Sequence, residues 1–168
     1  MKILGTRKST LRILFFAIIL LCVFACSSVN KETSRGAFDP AAAFQKADDQ
    51  INGRYYEEAR KTLEDILAKD MSQQYAALAK LRIADTYFED ESYEEAAAEY
   101  VAFLDSYPGH KHASYAQYKL AMSFFKKIKT ADVSYEVTQR ALQEFEKLRN
   151  NYPRNPYMDV TESRIKTC

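Results

Sequence analysis

Residues 93–108, YEEAAAEYVAFLDSYP, carry a pattern that returns along this 168-residue chain. The opening tetrapeptide, Tyr93-Glu94-Glu95-Ala96, also occurs 37 residues earlier as Tyr56-Glu57-Glu58-Ala59. After each alanine the apolar residues recur at helical spacing: Leu63, Ile66 and Leu67 in one copy, Tyr100, Phe103 and Leu104 in the other. A third copy begins at Ala141, with Phe145 and Leu148, and ends in Tyr152-Pro153 as the second ends in Tyr107-Pro108. Each proline falls 12 residues after its alanine, where its ring and missing N–H stop a helix. The Glu57-Glu58 and Glu94-Glu95 pairs then sit at helix N-termini, where the macrodipole favours negative charge. Their reading is structural.

Working outward, the segments between these copies repeat as well. Ala47, Ala84 and Ala121 are spaced by 37 residues, each with a bulky apolar residue three before it: Phe44, Leu81 and Tyr118. The second-helix alanine follows 12 residues later in the first two copies and 20 later in the third. Small residues let two helices of a hairpin approach closely, and bulky ones fill the space beside them. An alanine-centred helix pair closed by proline resembles the tetratricopeptide (TPR) repeat. That series of small, aromatic, small, aromatic and proline is met by Ala84, Tyr87, Ala96, Tyr100 and Pro108, then by Ala121, Phe124, Ala141, Phe145 and Pro153. The first copy is degenerate, with Ile51 and Leu63 for aromatics and Met71 for the proline, as suits a terminal repeat. The expected fold is all-α: TPR-like helical hairpins forming a short right-handed solenoid. Three repeats, at about 41–72, 73–108 and 110–153, are followed at 154–168 by the first helix of a fourth. That last segment reads either as a solvating cap or as a shortened array. The eight extra residues of the third repeat fall within KKIKTADVSYEVTQ, 126–139, as a tolerated loop insertion or a contact loop.

The first 25 residues read differently. Lys2, Arg7, Lys8 and Arg12 lie in a stretch with no acidic residue, and an unbroken apolar run fills 13–25. A basic region followed by a run too short to span a bilayer is a secretory signal. The run ends in Val23-Phe24-Ala25-Cys26, which resembles the bacterial lipobox, so Cys26 is the expected site of N-palmitoyl and S-diacylglycerol modification. Several acyl chains on one residue give stable membrane anchoring. Ser27 and Ser28 resemble the default signal for outer-membrane delivery, giving a lipid-anchored protein on its periplasmic face. Residues 26–40 form a polar tether, and Asp39-Pro40 supplies a cap and first position for the opening helix.

Loss of the signal leaves 20 basic and 23 acidic residues, a net of −3, with no basic footprint for nucleic acid. Of three cysteines, Cys22 leaves with the signal and Cys26 takes lipid, so Cys168 has no disulfide partner. His110 and His112 lack neighbours of metal-ligand spacing and read as a solvated inter-repeat loop. No phosphate-cradling glycine loop, nucleophile elbow or catalytic triad is present, so neither enzyme activity, cofactor nor metal is expected.

The TPR resemblance implies that the first helix of each hairpin lines a concave groove. Its positions would be Phe44 and Asp48; Leu78, Leu81, Asp85 and Phe88; and Tyr115, Tyr118, Met122 and Phe125. Rigid rings around a groove offer large contact area to a peptide at low entropic cost. With lipobox, repeats and the segment ALQEFEKLRNNYPRNPY at 141–157 together, the chain resembles the BamD family of outer membrane assembly lipoproteins. That resemblance implies a scaffold of β-barrel assembly whose partners are barrel-assembly subunits and unfolded outer membrane proteins. The family carries about five repeats, the C-terminal ones being implicated in docking the barrel subunit, whereas these 168 residues hold three and the first helix of a fourth. An alternative is a TPR lipoprotein acting as pilotin or as a cell-envelope or division scaffold. A further one is an accessory to an enzyme that carries the chemistry.

Overall fold

The computed structural model describes residues 38–128 and 135–168. The signal, Cys26, most of the tether and residues 129–134 of the third-repeat insertion lie outside that range. Among the described residues there are seven helices and no strand: α1 (Pro40–Asn52), α2 (Tyr56–Lys69), α3 (Ala76–Glu89), α4 (Tyr93–Ser106), α5 (Ala113–Ile128), α6 (Tyr135–Asn151) and α7 (Met158–Thr167). Each helix packs chiefly on its neighbours in sequence, with α3 also reaching α5. The expected stack of helical hairpins, α1–α2, α3–α4 and α5–α6 followed by α7, is present.

Local chemistry sets the ends of these helices. The Asp39 carboxylate accepts from the Ala41 and Ala42 amides at 3.0 and 3.1 Å, and Pro40 takes the first helical position. This satisfies donors that an uncapped terminus would leave open. The folded unit starts slightly earlier than position 41, because Phe38 packs on the core around Ala47, Leu63 and Ile66. Glu57 and Glu58 lie in the first turn of α2, and Glu94 and Glu95 in that of α4. Arg54 and Glu91, each five residues before its repeat alanine, adopt positive φ of 62° and 60° and turn the chain sharply into the second helix.

The repeat alanines are the closest contacts. Ala47, Ala59, Ala84, Ala96, Ala121 and Ala141 are wholly buried, and Leu63, Tyr100 and Phe145 are sealed beside them. Each such large side chain contributes about 1.5–3 kcal/mol on burial. The cores run across repeat boundaries: Ala79 and Ile83 of α3 join the first hairpin, and Ala116 and Leu120 of α5 join the second. The first and second hairpins are also tied by Arg60, which lies over the Tyr87 ring at 4.4 Å and bridges Glu57 and Asp90 at 3.2 and 3.3 Å.

The described parts of the third-repeat insertion, 126–128 and 135–139, are helical. Measured from the repeat alanines, α5 runs two residues further than α3, and α6 starts three residues earlier than α4. Nothing in KKIKTADVSYEVTQ stops a helix, since it holds neither proline nor glycine, so both flanking helices continue into it. Lys127, Glu136 and Val137 from this added length then wall a second groove of about 650 Å³, floored by Ala97, Val101 and Phe124.

The helix α7 keeps the register of α5. It begins five residues after Pro153, as α5 begins five after Pro108. The turn amides of Asn155 and His110 donate to Tyr152 and Tyr107 carbonyls at the same 3.1 Å. Thr161 is wholly buried where α5 has Ala116.

Candidate functional site

Side chains of α1, α3, α5 and the turn before α7 enclose a cleft of about 410 Å³. Phe44 comes from α1; Leu78, Leu81, Arg82 and Asp85 come from α3. His112 and Tyr115 stand at the start of α5, and Tyr157 precedes α7. The first helices of successive hairpins therefore face one space, because the 37-residue register brings the same face of each round to it.

Asp85 is the chemical centre of this cleft. It is 7% exposed, and its Oδ1 accepts from the Tyr100 hydroxyl at 2.7 Å and the Tyr115 hydroxyl at 2.9 Å. Burial raises its pKa above the usual carboxylate value, while the two hydroxyl donors, Lys119 and Arg82 pull against that shift. Burial and the adjacent carboxylate drive both tyrosine hydroxyls upward, so each remains a donor at physiological pH. One carboxylate thus ties α3 to α4 and α5 and fixes the Tyr115 ring at the cleft wall. Beside it, the Arg82 guanidinium spans to α1, with Nη2 3.0 Å from Asp48 Oδ1 and Nη1 3.8 Å from Asp85 Oδ2.

Of the ten positions expected to line a groove, Phe44, Leu78, Leu81, Asp85 and Tyr115 meet in this cleft, with Asp48 at its edge through Arg82. Tyr118 lies alongside, stacked on Tyr157. Phe88 is occupied elsewhere: the Lys119 ammonium sits 3.5 Å from its ring centre and Tyr93 packs edge-on at 5.4 Å. Met122 packs half-buried on the third core cluster. Phe125 departs most from a groove position. It is 4% exposed, held edge-on to Phe145 at 6.1 Å and covered by the Arg164 guanidinium of α7 at 4.7 Å. With α6 and α7 both packed around it, that ring belongs to the core.

Three lining residues escaped the positional count. Arg82 has no aromatic or alanine signature, and His112 and Tyr157 stand just before their helices begin. The register relates the last two, since His112 lies four residues after Pro108 and Tyr157 four after Pro153. The histidines do lie in the loop between α4 and α5 but are half-buried rather than solvated, and His110 packs edge-on against Phe103 at 5.6 Å. Among the described residues no group of His, Cys, Asp and Glu could hold a metal ion, and no helix is long and apolar enough to cross a membrane.

The arrangement is a ring-walled cleft between the first helices of successive hairpins. A family model described as outer membrane lipoprotein, YfiO, matches residues 37–168, all of the chain beyond its first 36 residues. This chain belongs to the YfiO family of outer membrane lipoproteins.

Proposed function

We propose that this lipoprotein is a scaffold of the β-barrel assembly machinery, acting at the periplasmic face of the outer membrane. Cys26 carries the lipid, the tether gives reach, and the cleft takes exposed segments of unfolded outer membrane proteins while other surfaces meet partner subunits. Family membership supports the location and the scaffold role. The observation that carries the binding role is the cleft itself, where Phe44, Tyr115 and Tyr157 from separate repeats converge around Leu78 and Leu81. Such a concave, mostly apolar site with few polar groups is how proteins hold a flexible ligand.

The test is a photoreactive amino acid in place of Leu78, a half-buried lining residue, in the lipidated protein in cells. Adducts with barrel precursors, together with loss of surface barrels on depletion, are the expected result. Intact barrels with lost pili or defective septa on depletion would overturn it and transfer the role to secretin piloting or division.

A further inference from the structure

The cleft is lined by one carboxylate, Asp85, together with the Arg82 guanidinium and His112, and Asp48 stands at its edge as the second partner of Arg82. Arg82 is the cation nearest both Asp48 and Asp85, and it lies closer to Asp48, 3.0 Å against 3.8 Å. Lys119 is engaged with Glu89 at 3.4 Å and with the face of Phe88. The two tyrosine donors both fill Oδ1 of Asp85, and among the described residues no donor lies within hydrogen-bond distance of its Oδ2. Oδ2 thus faces only the Arg82 guanidinium, in an ion pair too long for a hydrogen bond, and a mostly buried carboxylate so thinly compensated is costly to keep ionised.

We infer that the cleft selects segments carrying a basic side chain among apolar or aromatic ones, with Asp85 as the counter-ion for the incoming cation. This deepens, and rests on, the reading of the cleft as a peptide receptor. A Lys or Arg head placed at Asp85 Oδ2 completes that carboxylate's shell, and its aliphatic stem lies along Leu78 and Leu81. The rings of Tyr115 and Tyr157 add a favourable face to a desolvated cation. Barrel strands alternate apolar and polar residues, so an unfolded one presents a basic side chain next to apolar neighbours. An acidic segment meets the opposite situation, since both Asp48 and Asp85 repel it and Arg82 is already committed.

The experiment uses the lipidated chain in detergent and fluorescent nonapeptides that share aromatic and leucine residues and differ only at a central Lys, Gln or Glu. Binding is read by anisotropy. The Lys peptide is expected to bind about tenfold tighter than the Gln peptide, with the Glu peptide weakest. In Asp85→Asn the Lys-over-Gln ratio should fall towards one. If that variant is unfolded by circular dichroism, Arg82→Gln serves instead: removing the competing cation should widen the Lys-over-Glu ratio. Equal binding of the three peptides, preference for Glu, a ratio that survives Asp85→Asn, or an Arg82→Gln ratio that narrows overturns the inference while leaving a peptide receptor intact. Failure of every peptide to bind overturns the receptor reading and this inference with it.

Discussion

The rings of Tyr118 and Tyr157 lie face to face, 4.5 Å apart and 8° from parallel, joining α5 to the turn that opens α7. Tyr157 also stands 6.2 Å from Tyr115, so one ring from the fourth repeat closes the end of a cleft built by the first three. Replacing Tyr157 by Ala should cost about 1 kcal/mol in urea unfolding, the order of an aromatic pair, yet weaken peptide binding severalfold. Unchanged binding would mean that this ring only holds α7 in place.

The two aromatic residues of α5 that share one face by spacing should part company on mutation. Phe125→Ala removes a sealed ring and should destabilise by about 3–5 kcal/mol. Tyr118→Ala, at a half-buried ring, should cost about 1–2 kcal/mol and act mainly on binding. Equal losses of stability in chemical denaturation would contradict this division.

Arg60 offers a test of how the first two hairpins are joined. Its guanidinium lies on Tyr87 and bridges Glu57 and Asp90, both substantially exposed acids. Arg60→Ala should lose about 2 kcal/mol through packing and pairing together. Arg60→Met should regain most of that, because hydrophobic replacement of a buried charge is often close to neutral. A methionine variant as unstable as the alanine one would make the charge itself the dominant contribution.

The acid dependence of stability should carry the signature of Asp85. Its folded pKa is raised by burial above the ordinary value of 3.8. A carboxyl so shifted binds its proton more tightly folded than unfolded, so it weakens the fold at neutral pH and the penalty fades as pH falls through the folded value. The stability of the natural protein relative to Asp85→Asn should therefore improve from pH 7 towards about pH 4. Glu57, Asp70 and Glu94, whose pKa values are lowered, act in the opposite sense but are common to both proteins. A gap between the two that does not move with pH would rule out the raised carboxyl.

Lipidation at Cys26 is tested by labelled palmitate, whose incorporation should vanish in Cys26→Ser. Continued labelling would place the lipid elsewhere.

The hairpins were legible because alanine is a positional requirement: a larger side chain at 47, 84 or 121 would push two helices apart, so the spacing survives in the sequence. Asp39-Pro40 was legible for a similar reason, being a local device that needs no tertiary context. The cleft was half legible. Counting from the alanines finds Leu78, Leu81 and Tyr115, which depend only on the face of their own helix. It fails for Phe125, whose burial is decided by where α6 and α7 pack, and for Tyr157, whose place is decided by a turn one repeat away. How much of the insertion the flanking helices absorb was not legible, because its position in the sequence says nothing about that.

Helix packing in this molecule is chiefly between neighbours, so each junction can loosen with little effect on distant ones, as in other linear arrays. The cleft is different, since it draws side chains from four successive repeats. A ligand seated there acts as a splint across the stack: it joins helices that are not neighbours in sequence, between which the chain by itself makes few contacts. Occupancy should then be felt at both ends of the array, with slowed amide exchange in α1 and α7 alike, and a half-melted array should lose its grip on the ligand in a single step.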